Sequence, residues 1–107
     1  MKDAKKYIPL TEATYYILLS LVETMHGYGI MQRVEEMTNS QVKLGPGTLY
    51  GAISKLVKEE IIVEVINEFD SRRKSYSLTE LGKEIVKLEH KRIELLYENG
   101  KRVVSGL

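Results

Sequence analysis

Past Glu60 the apolar side chains stop recurring at helical spacing and begin to crowd or alternate, a change of period that confines the fold more than any other feature. Ile61-Ile62-Val63-Glu64-Val65-Ile66 is rich in β-branched residues and bounded by Asn67, which predicts a strand. Ser75-Tyr76-Ser77-Leu78 alternates polar and apolar residues, the pattern of a second strand returning antiparallel to the first. Phe69 to Lys74 is a polar, basic connection between them. Helical spacing holds on both sides of this pair. In 107 residues that order allows one compact unit, mainly α with a small β-hairpin.

Upstream, residues 1–9 read as a short polar arm ending at Pro9. Thr11 suits a helix N-cap, with Glu12 at the positive end of the helix dipole. From Glu12 to about Met25 apolar residues run nearly all round (Tyr15, Tyr16, Ile17, Leu18, Leu19, Leu21, Val22), predicting a helix buried on two sides. One side would face its own core and the other a second subunit. A strand over Tyr15 to Leu19 is the competing reading, which the length of the run disfavours. His26-Gly27-Tyr28-Gly29 breaks the pattern and opens the next helix, whose inward stripe is Ile30, Val34 and Met37. Thr38-Asn39-Ser40 ends it, and Val42 to Leu44 reads as a short strand.

Pro46 has φ preset for the first position of a further helix. Leu49, Ile53 and Leu56 form its apolar stripe, while Gly47, Gly51, Ser54 and Lys58 lie opposite and Thr48, Tyr50 and Lys55 flank them. A solvated helix face normally fills with Glu, Lys and Gln, and each glycine there costs about 1 kcal/mol relative to alanine. One explanation is a face that lies flat against something large, its hydroxyls and cation meeting phosphates and base edges in a DNA major groove. The other is that glycine relieves crowding against a neighbouring element. Spacing alone leaves both open.

Helix, connection, helix and hairpin in that order are the layout of a winged helix-turn-helix. The wing tip would hold Asp70, Ser71, Arg72 and Arg73, followed by Lys74, cations where a phosphate backbone could run. Thr79 then caps a last helix expected to reach about Arg102. Leu81, Ile85, Leu88, Leu95 and Leu96 make its seam, interrupted by Arg92, and Val86, Ile93 and Tyr97 a second strip. At 1.5 Å per residue such a helix is about 35 Å long, more than a small winged-helix body needs. Leu95, Leu96, Tyr97 and Val103 would stand exposed unless another chain covers them. Residues 1–78 are therefore read as the DNA-binding domain and 79–107 as a C-terminal dimerisation helix. The alternative is a helix folded back over its own domain. On the dimer reading Tyr15, Tyr16, Leu19, Leu88, Leu95, Leu96 and Tyr97 line the interface and any ligand pocket within it.

Net charge is only +1, so distribution matters more than the sum: Lys2, Lys5 and Lys6 crowd the N-terminus and Arg72, Arg73 and Lys74 stand together. One Phe and no Trp permit a modest aliphatic core that a partner subunit would help complete. The absence of cysteine removes disulfide and thiolate chemistry and fits a reducing compartment. The longest apolar runs fall short of the roughly 20 residues a membrane span needs, and no signal-peptide layout opens the chain, so a cytoplasmic protein is expected. His26 and His90 lack partners at metal-ligand spacing, and Gly45-Pro46-Gly47 is not followed by the Lys-Ser/Thr pair of a nucleotide-binding loop. Glu84, Glu89 and Glu94 are accounted for by pairing with Lys and Arg on a solvated helix face. The expectation is neither enzyme nor metal nor cofactor, with His26 capping or packing.

Three motifs then stand in register: His26-Gly27-Tyr28-Gly29-Ile30, the Gly45 to Gly51 run (GPGTLYG), and the run from Arg72 through Gly82 (RRKSYSLTELG). With the Ile17-Leu18-Leu19 core they make nearly the whole chain resemble the PadR family of bacterial transcriptional regulators, in its branch with a single C-terminal helix. The resemblance implies a homodimeric repressor whose recognition helices and wings bind a roughly palindromic operator in double-stranded DNA. It puts Thr48, Leu49 and Tyr50 at the start of the recognition helix, Tyr28 on the second-helix tyrosine, and Arg72, Arg73 and Lys74 on the wing. Leu49 also lies in the apolar stripe, which assigns it to packing. The expected DNA-facing set is Thr48, Tyr50, Ser54 and Lys55 for the groove, with Tyr28, Lys43, Arg72, Arg73 and Lys74 for phosphates. Some members of that branch bind flat hydrophobic effectors at the dimer centre by Trp stacking; here Tyr15, Tyr16 and Tyr97 would have to substitute. A small-molecule sensor or a winged-helix protein-interaction module is the alternative reading.

Overall fold

The computed structural model describes residues 2–66 and 73–107. Thr11 Oγ1 accepts the Thr14 N–H at 3.1 Å and starts α1 (Glu12–Ser20). The helix stops short of the expected end near Met25. Leu21 leaves helical geometry, donates its N–H to the Leu18 carbonyl and still enters the core, while Val22 swings out to 68% exposure. The apolar run is satisfied without a helix because residues 21–24 must carry the chain to the sheet. There Met25–His26 forms β1, a strand too short for any periodicity to reveal.

His26 caps α2 (Gly27–Met37), its Nδ1 accepting the Gly29 N–H at 3.1 Å. Ile30 and Val34 are buried, but Met37 in the last turn is 42% exposed, so the inward stripe ends one turn earlier than expected. Asn39 and Ser40, with φ of 51° and 64°, reverse the chain. Val42 to Leu44 forms no strand. The Thr38 hydroxyl holds this segment instead, accepting the Val42 N–H at 3.0 Å and donating to the Val34 carbonyl at 2.9 Å.

Pro46 opens α3 (Pro46–Lys58), which buries Leu49, Ile53 and Leu56 as the stripe predicts. Its C-terminus closes through Glu60, whose φ of 63° takes the place usually given to glycine. The Glu60 N–H reaches the Val57 carbonyl and the Ile61 N–H the Leu56 carbonyl, with Leu56 and Ile61 both buried beside that turn. β2 (Ile62–Val65) and β3 (Ser75–Leu78) pair antiparallel from Ile62↔Leu78 to Val65↔Ser75. β1 adds to the other edge of β3 through Met25↔Tyr76 and His26↔Ser75, giving a three-stranded sheet of order β1-β3-β2 rather than a lone hairpin.

Thr79 Oγ1 accepts the Gly82 N–H and begins α4 (Glu80–Val104). Its first half buries Leu81, Gly82, Ile85 and Glu89. The N-terminal arm is ordered against this half as a 3₁₀ turn over Ala4–Tyr7. Tyr7 donates its hydroxyl proton to Glu59 Oε2 at 3.3 Å and Lys2 Nζ donates to the Glu59 carbonyl at 3.1 Å. Glu89 corrects the solvated-face reading: it is 1% exposed, accepts the Leu10 N–H at 2.8 Å and is gripped by Arg92 Nε at 2.6 Å. Arg92 interrupts the seam because it is the partner of that carboxylate. Its side-chain hydrogen bond holds the Glu89 carboxyl below the usual carboxylate range, outweighing the opposing effect of burial. Burial, followed by the charge of Glu89, raises the Tyr15 phenol.

One aliphatic core thus joins α1, α2, α3, the sheet and the near half of α4, with Ile17, Ile30, Leu49 and Ile85 fully buried. This is a winged helix-turn-helix with a long C-terminal helix, the architecture expected from the order of periods.

Candidate nucleic-acid interface

Among the described residues, nothing lies within 4 Å of a Cβ added at Gly45, Gly47 or Gly51. Crowding among the described residues therefore does not explain them, and the smooth side of α3 is exposed. Gly27 differs. An added Cβ there would run into the Tyr50 phenol, with Cζ only 2.8 Å away, so Gly27 exists to let the Tyr50 ring lie across the start of α2. Tyr50 remains 46% exposed and spans the gap between the two helices.

Beside that ring opens a cleft of about 500 Å³ lined by His26, Tyr28, Tyr50, Ser54, Arg73 and Lys74, among others. Three elements meet there: the first turn of α2, the exposed side of α3 and the stem of the wing. The β1–β3 pairing brings them together, because His26↔Ser75 sets the chain leading into β3 next to the α2 N-terminus. Arg73 and Lys74 are exposed on one rim and Tyr28, 59% exposed, stands on the other. The His26 and Tyr28 rings are 12° from parallel with centroids 6.5 Å apart. Arg73 Nη1 lies 3.3 Å from His26 Nε2. Tyr76, buried in β3, forms the floor, its phenol raised first by burial and then by Glu64.

The cleft unites Tyr28, Tyr50, Ser54, Arg73 and Lys74 of the expected set. It does not unite the rest. Lys55 lies about 140° around α3 from Tyr50, at roughly 100° per residue, and lines a second cleft with Tyr7, Pro9, Thr14 and Glu59. Thr48 shares that flank and is exposed. Lys43 is exposed ahead of α3, where its Nζ approaches Glu35 Oε1 to 3.9 Å. Arg72 lies outside the described residues, as do Asp70 and Ser71 of the expected wing tip. Sequence reasoning left His26 out of the interface, since its role depends on a strand of two residues.

Of the residues expected between subunits, Leu95, Leu96 and Tyr97 are 61–64% exposed, while Tyr15, Tyr16, Leu19 and Leu88 are half-buried. Val103 and Val104 extend the exposed apolar strip to the end of α4. Among the described residues no three His, Asp or Glu side chains gather as a metal site, and no helix is long and apolar enough to cross a membrane.

The chain is similar to a transcriptional regulator from Clostridium thermocellum, with 23% identity, a TM-score of 0.71 and coverage of 92% of this chain and 93% of that one. A PadR family transcription regulator from Clostridium difficile gives the same identity and TM-score over 85% of this chain and 97% of its own. A protein of the Streptomyces fradiae transposon TN4556 is 30% identical over 79 residues, 73% of this chain but 22% of that protein, so the chain spans about a fifth of this curated relative. The family model described as the Transcriptional regulator PadR-like family matches residues 17–88. On that match, carried by the winged-helix fold, this chain belongs to the PadR-like family, whose members are transcriptional regulators and not enzymes.

Proposed function

We propose that the protein is a homodimeric, cytoplasmic repressor that reads a roughly palindromic operator. The observation that carries this is the smooth, glycine-lined side of α3, open to the outside and adjoining a cleft rimmed by Arg73 and Lys74. Thr48, Tyr50, Ser54 and Lys55 contact base edges in the major groove, and Tyr28, Lys43, Arg72, Arg73 and Lys74 hold phosphates. Residues 1–78 bind DNA. Residues 79–107 associate, with the strip from Leu95 to Val104 closing on a second copy against Tyr15, Tyr16 and Leu19 and with Leu88 at its base.

Fluorescence anisotropy with a duplex from the protein's own promoter region tests the reading. Arg73→Ala/Lys74→Ala should weaken all duplexes alike and flatten the slope of log affinity against log salt by about two. Tyr50→Phe keeps the ring over Gly27 and removes only the hydroxyl, so sequence preference should relax with little change in salt dependence. Leu95→Glu/Leu96→Glu should sediment as a folded monomer and lose operator binding. No binding to any duplex at low salt would overturn the reading in favour of a protein-interaction module.

A second reading adds an effector. Tyr15 and Tyr16 are half-buried on α1, which packs against α4, and this suits a flat apolar compound held at the dimer centre between Tyr15, Tyr16 and Tyr97. Thermal stabilisation by such a compound, lost in Tyr16→Ala, is the expected result. Coupling of its binding to DNA affinity would follow by linkage.

A further inference from the structure

We propose that His26 and Arg73 form a two-donor clamp for a non-bridging phosphate oxygen of the DNA backbone. The inference rests on the DNA-binding reading above and deepens it at a residue that reading does not use.

A backbone N–H can only donate, and that of Gly29 is aimed at His26 Nδ1 from 3.1 Å. Nδ1 is therefore the unprotonated nitrogen, and in the neutral ring the proton sits on Nε2. Arg73 Nη1 lies 3.3 Å from that same Nε2, and a guanidinium nitrogen has no lone pair to offer. Two donors thus face each other at a separation where one hydrogen bond would ordinarily run. The opposite tautomer would relieve this only by leaving the Gly29 N–H without its cap. Full protonation would lose the cap and set two cations together.

An acceptor with several lone pairs, reached by both donors at once, resolves the conflict without either loss. A phosphate oxygen has that chemistry. Both groups line the cleft beside α3, and the pairing of His26 with Ser75 brings the chain that carries Arg73 alongside His26. The Gly29 cap on Nδ1 sets the orientation of the imidazole. Arg73 carries five N–H donors, so a bond from Nη1 uses only part of what its guanidinium can offer to its other interactions.

His26→Asn separates cap from clamp, since asparagine is among the best N-cap residues but is too short to reach Arg73. The variant should keep its unfolding temperature and lose roughly tenfold in duplex affinity, about one charge-assisted hydrogen bond. Its salt slope should match the wild type, because a neutral imidazole displaces no counterion, whereas Arg73→Ala should flatten the slope by about one. Combining the two should cost less than the sum of the single changes. Long-range ¹H–¹⁵N spectra of the wild-type protein should show the Nε2–H tautomer, with that resonance moving on duplex addition. Unchanged affinity in a folded His26→Asn overturns the clamp while leaving the DNA reading intact. An Nδ1–H tautomer overturns it even if the variant fails to fold. A wild-type protein that binds no duplex overturns the DNA reading itself, and the clamp with it.

Discussion

From Glu80 to Glu89, α4 turns Leu81, Ile85 and Glu89 inward to less than 10% exposure; from Leu95 onward a similar recurrence of apolar residues leaves Leu95, Leu96 and Tyr97 above 60%. The two stretches belong to one continuous helix. Their contrast separates two questions that amphipathicity merges. A stripe at helical spacing says that a surface favours burial, and the rest of the chain decides whether it can supply the cover. Near the N-terminus of α4 the 3₁₀ turn, α1 and β3 do so. Beyond Ile93 every residue of α4 is exposed, with no described element packed over it.

The glycines of the two stretches offer the strongest test of that contrast. In the covered half, Gly82 allows the helix to touch the Ile61 carbonyl, which a Cβ would strike, with Leu78 Cδ2 also at 3.2 Å. Gly82→Ala should cost about 2–3 kcal/mol by urea denaturation, as overpacking against backbone does. A stabilised variant would mean that the contact is slack and the first half less firmly seated than described.

Glu89 marks the boundary between the halves. Glu89→Gln should lower stability at neutral pH by about 1–2 kcal/mol, since it removes a charged acceptor from Arg92 and the Leu10 N–H. Because the folded protein lowers the carboxyl's pKa, this contribution is present above the unfolded-state value and is lost as pH falls through the lower folded one. Denaturation curves from neutral pH to below the ordinary carboxylate range should therefore converge for wild type and variant on the acid side. Parallel curves would remove Glu89 from the acid response.

The smallest effect belongs to the uncovered half. Among the described residues nothing lies within 4 Å of a Cβ added at Gly100, so Gly100→Ala should stabilise by up to about 1 kcal/mol through helix propensity alone. A weaker dimer in sedimentation, instead of a stabler helix, would place Gly100 under the partner and move the interface toward the C-terminus.

Local chemistry made much of this fold legible. Thr11 and Thr79 cap helices where a hydroxyl stands before the periodic run, and Pro46 opens α3 where its fixed φ suits the first turn. The β3 strand lies at Ser75–Leu78, as alternation predicted. What escaped depended on distant partners. Glu89 reads as one more surface carboxylate until the Leu10 N–H, far away in sequence, arrives to be accepted. β1 has two residues and is a strand only because β3 lies alongside. The end of α1 is set by where the chain must go next, which no window over Tyr15 to Val22 contains. Within the candidate interface, residue types pointed to Tyr50, Ser54, Arg73 and Lys74, and the family resemblance to Tyr28. Which of them share a cleft depended on the third strand, and so did the place of His26.

That third strand carries a consequence for tolerance to change. Side chains alternate across a sheet, so moving β3 by one position would exchange the buried Tyr76 for a serine and rotate the cations before it away from α2. The alignment of the outward-facing groups is thus inherited from a phenol ring lodged beneath them. A library that randomised the cleft while sparing Tyr76 would retain its geometry, whereas one that varied Tyr76 would blur it without altering a single outward residue.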